Sequence, residues 1–133
     1  MADKRLKSLE RMLAIQARMR SLAEWRQQVI QRQATEARDE SRALVAALNG
    51  DGLVNGLFTD VTAKRLHRVS VAIWELDEKA ARQAREVARE TGREKRAAKL
   101  ADQVRRIRHR AEQDKALLDI MESDEGKRAA SLE

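Results

Sequence analysis

The residues with most chemical promise lie in one stretch, NGDGLVNGLF, at positions 49–58. Gly50-Asp51-Gly52 followed by Gly56 has the look of a glycine-rich phosphate cradle. A working phosphate loop also needs a Lys-Ser/Thr pair opening a helix, with a strand before the loop. Neither is present, so no nucleotide site is expected. The imidazoles of His67 and His109 are the only other groups suited to proton transfer or metal ligation at neutral pH. They are far apart in the chain, and neither has a carboxylate constellation beside it. There is no cysteine, which removes thiol nucleophiles, disulfides and cysteine-based metal sites. Carboxylates are abundant, but without a pocket they are surface charge. The expectation is a non-enzymatic chain with no catalytic, cofactor-binding or metal-ligating residues.

The composition says what kind of element carries these residues. The 133-residue chain is 38% charged and 2% aromatic, with no proline. That balance belongs to long helices and coiled coils, and leaves few large apolar side chains for a compact core. Disorder competes with that reading of polarity, but periodic apolar residues and strong helix formers weigh against it. Residues 1–13, MADKRLKSLERML, contain no apolar run of the secretory type. No stretch of about 18 apolar residues exists to span a bilayer. A cytoplasmic protein is expected, with attachment at the periphery of a membrane assembly compatible with that.

The chain reads as all-α: one helical-hairpin domain over residues 1–133. A first helix is expected over 3–48, a turn over 49–58, a longer second helix over 59–123, and a frayed tail over 124–133. In the first helix, Leu6, Leu9 and Leu13 form one stripe at spacings of three and four, and Met12, Ile15, Met19 and Leu22 form a neighbouring one. Together they make a broad amphipathic face that Trp25, Val29 and Ile30 continue. In the second, Leu66, Val69, Ile73, Leu76 and Ala80 follow a heptad. At 1.5 Å per residue the helices would run roughly 70 and 100 Å. Asn49 and Gly50 suit a left-handed C-cap, and Thr59 with Asp60 suits a helix start. Leu53, Val54, Leu57 and Phe58 leave the turn oddly apolar. They either plug the hairpin's own core or form a tip that docks on a partner.

Antiparallel pairing follows from bulk. Residues 31–43 carry no large apolar side chain, only Ala34, Ala37 and Ala43. Folding about the turn sets them against roughly 64–76, where Leu66, Val69, Val71, Ile73, Trp74 and Leu76 lie. Residues 81–99, mostly small or charged, face roughly 8–26, where Leu9 to Trp25 supply the bulk. Interiors pack to a fixed density, so a large knob needs a small opposite neighbour. Gln16, Arg20, Gln27, Gln83, Glu90 and Glu94 fall on or beside the seam, where polar residues fix register at some cost in stability.

The pairing leaves the end of the second helix without a mate. Ile107, Ala111, Leu118 and Met121 then form an apolar stripe, a candidate surface for a partner or for weak homo-oligomerisation. Residues 79–110 carry twelve Lys/Arg against four Asp/Glu, and residues 3–28 carry seven against three. Arg89, Arg93, Arg96, Arg105, Arg106 and Arg108 are the candidates for binding an acidic partner through that basic end. Nucleic acid is an alternative partner, which would be gripped through phosphates alone, since no aromatic interleaving or zinc motif is present.

The two-helix layout, the Arg/Gln/Ala-rich composition and the opening KRLKSLERMLAIQAR resemble the FliJ/YscO family over roughly residues 3–121. These are the small coiled-coil stalk proteins of flagellar and virulence type III secretion. The resemblance implies a protein that sits in the hexameric export ATPase, contacts the export gate and escorts chaperones. On that footing the basic end would suit the ATPase, and the apolar patch with Trp74 would suit the gate or a chaperone.

Overall fold

The computed structural model describes residues 2–50 and 59–132. They form two helices, α1 (Ala2–Leu48) and α2 (Thr59–Leu132), with no strand among the described residues. The fold is an all-α helical hairpin with α2, at 74 residues, longer than α1, at 47. Both helices are built from Ala, Arg, Leu, Gln, Glu and Lys, all strong helix formers, with no proline to interrupt them. Asp3 and Asp60 lie in the first turns, where a negative charge meets the positive end of the helix dipole.

Two boundaries differ from expectation. α1 closes with the Asn49 amide donating to the Val45 carbonyl at 3.0 Å and the Gly50 amide to the Ala47 carbonyl at 3.4 Å. No described residue has a positive φ, so the expected left-handed cap is replaced by a tightened last turn, which also satisfies end carbonyls. α2 does not end at residue 123 but continues to Leu132. Residues 127–130, Lys-Arg-Ala-Ala, are good helix formers and extend it past Gly126, where a glycine costs only about 1 kcal/mol. Leu53, Val54, Leu57 and Phe58, the expected plug or tip, lie outside the described residues.

Where one domain was expected, the chain groups into two compact units, one of Arg18–Thr91 and one of Met1–Ala17 with Gly92–Glu133. In a two-helix pairing each layer touches only its neighbours, so no shared core gathers distant layers.

In the Arg18–Thr91 unit the helices are antiparallel. Arg65 pairs with Glu40 at 2.7 Å, Arg38 with Asp77, and the Gln83 amide donates to the Ala23 carbonyl at 2.9 Å. The interior is the seam of Ala23, Ala34 and Val69, all buried, with Ile30, Ala37, Leu66, Ile73 and Leu76 half-buried. Small Ala34 and Ala37 stand on α1, and larger Val69, Ile73 and Leu76 on α2, the expected alternation of bulk. Glu90 is also buried, at 2% exposure, and it is the only buried charged residue described.

In the other unit, Arg105 pairs with Glu10 at 3.2 Å and Arg108 with Asp3 at 3.0 Å, again antiparallel. Leu6, Ala97, Ala101 and Val104 are buried, and Leu9 and Leu13 half-buried. The seam is narrow. Along α2 the least exposed positions from Leu66 to Val104 recur at alternating steps of three and four, the heptad of a coiled coil.

That narrowness corrects the broad apolar face read from the sequence. Leu6, Leu9 and Leu13 face inward, whereas Met12, Ile15, Met19, Leu22 and Trp25 are exposed. A heptad seam uses two positions in seven, and the neighbouring stripe is rotated out of it. The bulk expected opposite residues 81–99 is therefore mostly outside the seam.

Candidate interaction surface

Within the Arg18–Thr91 unit the two tryptophans stand out, since large aromatic rings are seldom left so open. Trp25 is 59% exposed and Trp74 66% exposed. Trp25 sits two residues past buried Ala23, which places it beside the seam rather than in it. It flanks an open groove of about 480 Å³ with Arg26, Val29, Ile30, Lys79 and Arg82. Trp74 flanks a second open groove with Glu75, Glu78, Lys79 and Arg82. Lys79 and Arg82 thus border both grooves. Aromatics beside cations are the side chains most often found at the centre of protein interfaces. The inward reading of Trp25 missed this. The signal was available in the phase of Ala23 and Gln27, both on the seam.

The same unit holds Arg89, which is exposed and paired with Glu86 at 3.2 Å. Its mate is one turn away, so this is a solvated helix-face pair worth a few tenths of a kcal/mol. His67 borders a shallow surface with Lys64 and Arg68, and no carboxylate lines it. His109, in the other unit, has its Nε2 3.1 Å from the Gln113 amide nitrogen, with both side chains exposed. Among the described residues no three His, Cys, Asp or Glu side chains gather at one point.

In the unit of Met1–Ala17 with Gly92–Glu133, the other candidate arginines are all exposed. Arg106 pairs with Asp102 at 3.0 Å, and Arg108 with both Asp3 and Glu112. Arg105 is held by Glu10. Three consecutive candidates are therefore already neutralised in part by neighbouring carboxylates. Arg93 and Arg96 lie one turn apart on the same side of α2, whereas Arg105, Arg106 and Arg108 spread around the helix. The arginines make a basic sleeve rather than a single flat patch.

Beyond Val104 the character of α2 changes. Every residue from 105 to 132 is exposed. Ile107, Leu118 and Met121, three of the four stripe residues, are exposed at 66%, 58% and 54%, and Leu117 and Ile120 flank them. Ile107, Ala111, Asp114, Leu118 and Met121 recur at steps of four and three, so they share one face. No described helix is long and apolar enough to cross a membrane. The stripe is thus an amphipathic face that no described part of the chain covers.

The class defined by these features is a two-helix hairpin with narrow heptad seams and exposed apolar and basic helix faces. Compared with known proteins, the chain matches no family model, no curated protein and no solved structure.

Proposed function

We propose that the protein is a non-enzymatic coiled-coil interaction protein, acting as the stalk of a type III or flagellar export apparatus. The observation that carries this reading is the uncovered α2 face from Ile107 to Met121, adjoining the arginine sleeve at 105–108. A helix that presents a basic collar and an apolar stripe suits insertion among the acidic and apolar walls of a protein ring. The resemblance of the opening segment to stalk proteins directs the choice to an export ATPase. The exposed Trp25 and Trp74 suit contact with the export gate or a chaperone, at the cytoplasmic side of a membrane assembly.

The test is stimulation of a cognate export ATPase by the purified chain. Reversing Arg105, Arg106 and Arg108 to Glu should weaken stimulation at least tenfold, about 1.4 kcal/mol of lost binding. Failure of the unaltered chain to bind any export ATPase overturns the proposal. Nucleic-acid binding is the less favoured reading, because the basic helices carry no aromatic interleaving and no zinc motif. A mobility shift at low salt that disappears as salt rises would revive it.

A further inference from the structure

The segment 105–132 is divided by charge. Its first part carries Arg105, Arg106, Arg108 and Arg110 against Glu112, and residues 119–125 carry Asp119, Glu122, Asp124 and Glu125 with no Lys or Arg, ahead of Lys127 and Arg128. Between them lies the adjacent pair Asp114 and Lys115. None of Asp114, Asp119, Glu122, Asp124 or Glu125 forms an ion pair with another described residue, although all are exposed. The uncovered stripe of Ile107, Ala111, Leu118 and Met121 runs through both halves.

From this arrangement we infer that residues 105–124 pair with the same residues of a second copy of the chain, antiparallel and centred between Asp114 and Lys115. The reason is self-complementarity. A two-fold axis through that centre sets the arginines of one copy beside the carboxylates of the other, twice over. It also sets Asp114 beside the Lys115 of the second copy. Ile107 of each chain then comes against Leu118 and Met121 of the other. A parallel pairing would lay the arginines against arginines and the carboxylates against carboxylates, which costs free energy at each layer. The overlap offers about three heptads, the length at which a two-stranded coil becomes distinct. An unrelated acidic helix would satisfy the arginines but would leave the carboxylate half unmatched, so a second copy is the better fit. The closed two-fold arrangement uses the same surface on both chains and stops at a dimer.

The test uses the full chain alone, so its outcome is independent of any export ATPase. Sedimentation equilibrium should show the mass doubling as concentration rises. The Asp119→Lys, Glu122→Lys, Asp124→Lys triple variant should remain monomeric at concentrations where the unaltered chain is dimeric, with unchanged helical content by circular dichroism. The chain has no cysteine, so orientation can be read by cross-linking. A mixture of Ile107→Cys and Met121→Cys chains should oxidise chiefly to the mixed disulfide, with little self-linked product from either. A chain that stays monomeric at every concentration overturns the inference. Self-linked dimers dominating from each variant indicate a parallel pairing and overturn it as well, as does a triple variant that dimerises undiminished.

Discussion

The Gln83 side-chain amide donates to the backbone carbonyl of Ala23 at 2.9 Å, joining α2 to α1 in the Arg18–Thr91 unit. A polar side chain in a seam normally weakens it, yet here the amide reaches across and finds an acceptor. Such a bond depends on axial alignment, so it opposes sliding of one helix past the other. The Gln83→Ala variant should lose about 1 kcal/mol, the net value of a typical intramolecular hydrogen bond. A urea titration of both proteins measures it, and no change in midpoint would show that the bond contributes nothing.

Gly92 should be improvable. A Cβ built there meets only the Arg96 Nη1 at 3.5 Å, an ordinary contact with the end of a flexible side chain. Glycine in a helix interior costs about 1 kcal/mol relative to alanine. Gly92→Ala is therefore expected to stabilise the protein by about 0.5–1 kcal/mol, read as a higher urea midpoint at constant slope. A lower midpoint would mean that the glycine is needed for packing.

The opposite sign is expected at Ala101, which has 0% exposure in the seam of its unit. Ala101→Leu forces extra methylene groups into a filled layer and should cost about 1–3 kcal/mol. The neighbouring exposed Ala98 is the control, where the same substitution should stay within about 0.5 kcal/mol. Equal effects at the two positions would refute the seam assignment.

Trp25 and Trp74 should respond as surface residues. Acrylamide should quench the fluorescence of the folded chain nearly as well as that of the unfolded chain. Trp25→Ala should cost under about 1.5 kcal/mol, against the 3–5 kcal/mol typical of a buried ring. A blue-shifted, protected emission would contradict their exposure.

The ion pairs that join the helices should contribute little each. Glu40→Gln and Glu10→Gln remove partners of Arg65 and Arg105, all with side chains at least two-fifths exposed. Exposed pairs are worth about 0.2–1 kcal/mol, so each variant should unfold only slightly earlier in a thermal melt. A loss several times larger would assign them a structural role.

Particular residues show what was legible in the sequence. The heptad of Leu66, Val69, Ile73 and Leu76 required a helix with one narrow face, and the absence of proline let both helices run unbroken. The contrast between Ala34 and Ala37 on one helix and Val69 and Ile73 on the other announced their pairing, because packing density is the same everywhere in an interior. The uncovered stripe from Ile107 to Met121 followed from the unequal lengths of the two segments.

What periodicity could not decide was which of two neighbouring stripes faces inward. Leu6, Leu9 and Leu13 and the set Met12, Ile15, Met19 and Leu22 share the same spacing and differ only by a rotation about the helix axis. Only the position of α2 chooses between them, and it selects the leucines, leaving Trp25 and the methionines exposed. The cross-helix partners of Arg105 and Arg108 were hidden for the same reason. Glu10 and Asp3 are distant in sequence from Arg105 and Arg108, and antiparallel pairing brings them within reach. Sequence by itself determined the helices and their seam period, since both depend on local propensity and spacing. Tertiary structure alone decided the facing side of α1 and the cross-helix partners of Arg105 and Arg108, because these depend on where a distant helix lies.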